Sequence, residues 1–120
     1  MEQDEEFNLK KMAPILNRIP EKWGKWIRVR PGWFDLVLKL NDRIATKYPD
    51  YECYQVKEKF GSLRYYCEHD VDEDVSRWIT ETELECDRTC DVCGSPGTLV
   101  KNHHWLATRC LEHTKWEERW

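Results

Sequence analysis

The stretch CDVCGSPGTLVKNHHWLATRCLEH, Cys90 to His113, places two pairs of metal-type ligands sixteen residues apart, with two further histidines between them. Cys90-Asp-Val-Cys93-Gly94 has the spacing of a turn in which two thiolates converge while glycine lets the backbone bend sharply. Cys110-Leu-Glu-His113 repeats the interval, and at the start of a helix that interval aims both side chains at one point. Between the pairs, two short extended runs around Asn102-His103-His104 read as a hairpin. Turn, hairpin and helix start together predict a treble-clef-like module holding one zinc ion on Cys90, Cys93, Cys110 and His113. Thiolates with one imidazole favour zinc over magnesium or calcium. Cys86, four residues upstream of the first pair, competes with His113 for the fourth position.

Four protein ligands around a tetrahedral ion leave no place for a water molecule, so the expected zinc is structural rather than catalytic. Such an ion contributes on the order of 10 kcal/mol to folding, comparable with the whole stability of a small domain. His103 and His104 raise an alternative, a nuclease of the ββα-metal class. Adjacent side chains on a strand point to opposite faces, however, and Asn102 stands where an acidic residue is wanted. GxGxxG, GxxxxGK[ST] and HExxH motifs do not occur in the chain, and no catalytic residue is assigned.

Outward from this tail, 120 residues fit a single domain, divided here into a basic, Trp-rich extension (1–30), a helix-hairpin-helix core (31–87) and the zinc-binding tail (88–120). Apolar residues make up 40% and seven tryptophans supply large hydrophobic units, so the composition is that of a folded protein. No apolar run is long enough for a membrane span or a signal peptide, and a cytoplasmic protein is expected. In that compartment the six cysteines read as thiols or metal ligands before disulfides.

Charge is distributed unevenly about a net −4. Lys10 to Lys47 carries ten Lys/Arg against three Asp/Glu, whereas Glu68 to Asp87 carries nine Asp/Glu against one Arg. Within EEFNLKKMAPILNRIP, Leu9, Met12, Leu16 and Ile19 fall at helical spacing, and Pro14 predicts two short helical pieces rather than one. A clearer helix begins at Pro31 and ends at Pro49, with Trp33, Leu36, Val37, Leu40 and Ile44 as its apolar stripe. Residues 51–68 read as a β-hairpin turning at Phe60-Gly61. With a two-residue turn, Tyr54 and Val56 share the buried face with Leu63, Tyr65 and Cys67; one more loop residue would set Cys53 opposite Cys67. Residues 72–87 form an acidic helix capped by Asp70 or Asp72, with Val75, Trp78, Ile79 and Thr82 facing inward. The expected fold is therefore α+β: N-terminal helices, a central hairpin, an acidic helix and the zinc module.

Two surfaces could meet a partner. Pro20 to Trp33 interleaves Lys22, Lys25, Arg28 and Arg30 with Trp23, Trp26 and Trp33. Trp and Arg are the commonest hot spots of protein interfaces, and the same mixture of rings and cations suits single-stranded nucleic acid. The acidic helix presents Glu81 and Glu85 as a second candidate docking face.

QVKEKFGSLRYYCE (residues 55–68), together with TCDVCGSPGTL, WLATRCLEH and the Gly32-Trp33 helix start, resembles a family of small proteins of tailed bacteriophages and prophages. That family pairs a KEKFGxLRYY-type hairpin with a C-terminal CxxCG...CxxH zinc module, and the resemblance covers roughly residues 31–113. It implies a phage accessory protein in the cytosol of an infected bacterium, binding a host protein to redirect its activity or block a defence. The favoured expectation is a non-catalytic protein-binding module on Trp23, Trp26, Arg28 and Arg30, or on Glu81 and Glu85. Nucleic-acid binding by the basic segment is the first alternative, and nuclease chemistry at His103 and His104 the second.

Overall fold

The computed structural model describes residues 2–102 and 104–114. Its first element is one helix, α1 (Glu2–Leu16), in which Pro14 is accommodated, correcting the expectation of two pieces. Proline removes one N–H donor and with it one intrahelical bond, yet the helix runs only two residues further. Asn17 N–H still reaches the Ala13 carbonyl at 2.9 Å, and Arg18 and Ile19 close the turn on Ile15 and Leu16. Met12, Ile15 and Ile19 are buried, so the segment before residue 31 supplies part of the core.

A 3-10 turn, Pro31–Trp33, leads into α2 (Phe34–Lys47). Val37, Leu40, Asn41 and Ile44 are its buried stripe, spaced by the 3.6-residue period that aligns one helix face. Trp33 belongs to the turn rather than the helix, and its indole is fully enclosed.

β1 (Cys53–Lys59) and β2 (Ser62–Cys67) pair antiparallel around a two-residue turn. Phe60 (φ 55°) and Gly61 (φ 81°) both lie in the left-handed region, the conformation that matches strand twist in tight hairpins. Gly61 N–H donates to the Glu58 carboxylate at 2.6 Å. Register combines the two expected alternatives. Val56 stands opposite Tyr65, as the two-residue turn requires, yet an irregularity between Cys53 and Gln55 brings Cys53 opposite Cys67. The bulge adds one residue and so reverses the inward-outward phase, which lets Cys53 and Val56 both be buried and moves Tyr54 to a half-buried position.

Two strands alone would be marginal, and the ribbon is widened from the N-terminal side. Arg28 forms a parallel bridge with Lys57, its N–H donating to Val56 O and its carbonyl accepting from Glu58 N–H, each at 2.9 Å. On the other side α3 (Glu73–Cys86) packs against β2 and α2. Asp72 caps α3, its carboxylate accepting from the backbone of Asp74 (2.8 Å) and Val75 (3.1 Å). The same carboxylate meets Lys47 Nζ at 2.8 Å and the Tyr48 hydroxyl at 2.5 Å, tying the start of α3 to the end of α2.

The last module contains a second antiparallel hairpin, β3 (Thr98–Asn102) and β4 (Trp105–Arg109), followed by a 3-10 turn at Leu111–His113. No helix among the described residues is long and apolar enough to cross a membrane. Among the described residues the architecture is thus α+β, three helices with two small antiparallel hairpins.

Candidate metal centre

The first ligand pair is held by backbone bonds. Gly94 N–H donates to Cys90 O at 2.9 Å and Cys90 N–H to Ser95 O at 2.7 Å, so the chain reverses tightly around Val92 and Cys93. Gly94 takes φ 83°, where a side chain would be strained. The second pair sits on the turn after β4, where His113 N–H donates to Cys110 O at 3.0 Å. An additional bond, Asp91 N–H to Thr108 O at 2.9 Å, fastens the first turn to β4.

These constraints bring Cys90, Cys93, Cys110 and His113 together, with all ligand atoms within 4.8 Å of one another. Cys93 Sγ lies 3.7 Å from Cys110 Sγ, Cys90 Sγ lies 3.6 Å from His113 Nδ1, and Cys110 Sγ lies 3.1 Å from the same nitrogen. An ion bonded to sulfur at about 2.3 Å and to nitrogen at about 2.0 Å in tetrahedral geometry separates its ligands by roughly 3.5–3.8 Å. The Cys93–Cys110 and Cys90–His113 separations match such an ion, and the Cys110–His113 edge is shorter. The Cys93 thiol is drawn down to about 6, first by hydrogen bonds at Ser95 and then by the neighbouring thiols, so it supplies a thiolate near neutrality. Burial instead pushes the Cys110 thiol up, and a bound cation would have to overcome that.

Cys86 is not in the group. It is fully buried at the end of α3, among the core side chains, and burial pushes its thiol up to about 12. His104 lies exposed at the tip between β3 and β4, outside the ligand group, while His103 falls outside the described residues. The predicted helix start at Cys110 is a 3-10 turn as far as residue 113, and any helix beyond would fall at 115–120, outside the described residues.

The centre is built onto the core through contacts that local sequence patterns do not reveal. Gly32 N–H donates to Asp91 O at 2.9 Å, and the Trp33 indole N–H donates to Thr89 O at 2.8 Å. Thr108 Oγ1 donates to Gly61 O at 2.7 Å, joining the tip of the first hairpin to the second. Asp91, between the two cysteines of the first pair, is 1% exposed and meets Arg109 Nε at 2.5 Å. Arg30 and Glu58 complete this enclosed charge cluster. Burial raises the Asp91 carboxyl, opposed by Arg109 and Arg30, and burial together with Arg109 lowers Arg30.

The other predicted contact residues divide between two faces. Trp23 is 50% exposed and its ring lies 5.5 Å from that of Tyr54. Trp26 is half-buried beneath the Arg28 guanidinium at 4.7 Å, and Arg30 is half-buried toward the charge cluster. Glu81 and Glu85 are exposed on α3 but partly neutralised, Glu81 by Arg43 (3.1 Å) and Glu85 by Arg88 (3.7 Å). Leu84, 51% exposed, lies beside them.

Comparison with protein-family models, curated proteins and solved structures gave no match.

Proposed function

We propose that this chain is a small, non-catalytic zinc protein that works by binding another protein. One structural zinc ion on Cys90, Cys93, Cys110 and His113, in a treble-clef-like module, would act as a fold-stabilising cross-link. The observation that carries this reading is the ligand set itself: three cysteine sulfurs and an imidazole converge, and four protein ligands leave no site for substrate or water on a tetrahedral ion. Integration of the first ligand turn with the Gly32-Trp33 segment supports a structural role, since the ion would then hold the core as well as the tail.

The partner is a host protein, modulated or inhibited in the cytosol during phage infection, a reading supported by the resemblance of residues 31–113 to small phage proteins. The α3 face is the docking surface for it. Exposed Leu84 between Glu81 and Glu85 offers an apolar centre with a charged rim, the usual layout of a protein contact. Recovery of tagged protein from bacterial lysate tests this. A stoichiometric protein should survive nuclease treatment and be lost with Glu81→Lys/Glu85→Lys. Failure to recover one, or recovery unaffected by that double substitution, counts against the surface.

A further inference from the structure

We infer that the β1 edge is a binding track for single-stranded nucleic acid, running from Trp23 to the tips of both hairpins. It goes beyond the protein-binding reading and does not depend on it. The fold joins features that are separate in sequence. The Trp23 ring packs beside Tyr54 of β1 at 5.5 Å. Three residues further on, Trp26 carries the Arg28 guanidinium over its ring at 4.7 Å. Arg28 then lines a cleft of about 400 Å³ with Glu58, Lys59, Phe60, His104 and Trp105. In that cleft Phe60 is 66% and Trp105 44% exposed, and Lys59 Nζ stands 5.5 Å from the Phe60 ring centre.

Rings and cations therefore alternate along the β1 edge. From Tyr54 to Phe60 the track extends roughly 20 Å, at about 3.3 Å per strand residue. Such an arrangement meets both needs of a single strand, stacking platforms for bases and cations for phosphates. Charge complementarity selects this occupant. Segments 20–29 and 54–60 carry Lys22, Lys25, Arg28, Lys57 and Lys59, against Glu21 and Glu58 alone. The acidic helix that would repel phosphate packs against β2, whereas Arg28 pairs with β1. A duplex is the poorer fit, since its bases are already stacked and offer no free faces to Trp23 or Phe60.

Fluorescence polarisation of the zinc-loaded protein with labelled oligothymidylate, oligouridylate and a DNA duplex of equal length tests the proposal. The expected result is saturable binding of a single strand that exceeds duplex binding by about tenfold and weakens steeply between 50 and 200 mM salt, as counterion release requires. Trp23→Ala and Phe60→Asn should each weaken it about tenfold, the loss of one stacked base. Asparagine suits the left-handed backbone at position 60, so the turn is retained. Arg28→Glu/Lys59→Glu should abolish binding, and Glu81→Lys/Glu85→Lys should not weaken it. Unchanged melting temperatures establish that the variants are folded. Absence of binding at 50 mM salt overturns the track, as does equal affinity for duplex or polyglutamate. Affinity that survives Trp23→Ala and Phe60→Asn in folded protein has the same meaning.

Discussion

Gly32 lies directly against the backbone of Cys90: a Cβ at position 32 would stand 2.2 Å from the Cys90 carbonyl oxygen and 2.6 Å from the Asp91 carbonyl carbon. The turn that starts α2 and the turn that carries two candidate metal ligands thus share one van der Waals boundary. Neither neighbour can yield cheaply, because both are backbone. Gly32→Ala should cost about 1–3 kcal/mol in denaturant unfolding and weaken metal retention in parallel. Wild-type stability with full metal content would show that the contact is looser than this geometry states.

One zinc ion per chain should be found by elemental analysis, and the metal should leave on chelation with a large fall in melting temperature. Cys93→Ser and Cys110→Ser should each lose the ion and the folded tail, because removing a ligand removes folding free energy. Cys86→Ala should keep the ion, since that thiol is in the core. Retention of zinc by both ligand variants, or its loss from Cys86→Ala, would reassign the site.

Thiol reactivity should separate the cysteines into two classes. Burial pushes Cys53 up to about 11, and Cys67 and Cys86 up to about 12, so at pH 8 almost no thiolate is present at these positions. Mass spectrometry after iodoacetamide treatment of native zinc protein should show these three unlabelled. Chelation should expose Cys93 and Cys110, and denaturant all six. Rapid native labelling of Cys86 would contradict its placement at the buried end of α3.

Asp91 and Arg109 form an enclosed ion pair, so removing one partner leaves the other buried with less compensating charge. Arg109→Ala should lower stability by about 3–5 kcal/mol, and Arg109→Met with Asp91→Asn should be less harmful than either substitution alone. The check is a double-mutant cycle in urea. Strict additivity would mean that the two side chains do not interact.

The cap of α3 should appear as a pH effect. Lys47 first, and then the Tyr48 hydroxyl and the backbone of Val75 and Asp74, hold the Asp72 carboxyl well below its ordinary value. A depressed carboxyl stabilises the fold above the unfolded pKa of about 3.9, and the benefit disappears as pH falls through the folded value. Thermal melts should therefore place wild type above Asp72→Ala at pH 6–7, with the difference shrinking below pH 4. A gap as large at pH 2 as at pH 7 would locate the effect in packing rather than charge.

Much of the architecture was legible in short-range patterns. The stripe Val37, Leu40, Ile44 announced α2, Asp72 announced the start of α3, and Phe60-Gly61 announced a tight turn. Pro14 misled, because proline chemistry marks a weak point in a helix without saying how near the end it falls. Hairpin phase was undecidable for a related reason. A bulge between Cys53 and Gln55 changes inward-outward alternation locally, and composition does not encode one extra residue in a ladder.

By itself the sequence determined which side chains are available for the metal centre, since CxxC and CxxH intervals aim paired ligands from local backbone geometry alone. Tertiary structure decided that the two pairs meet, that His113 rather than Cys86 joins them, and that Gly32, Gly61 and Thr108 lock the module to the core. Only the tertiary structure placed Trp23 beside Tyr54 and Arg28 beside Phe60. The physical reason is range: periodicity and turn chemistry act over a few residues, whereas close backbone approach, buried ion pairing and shared surfaces depend on segments that sequence separation does not relate.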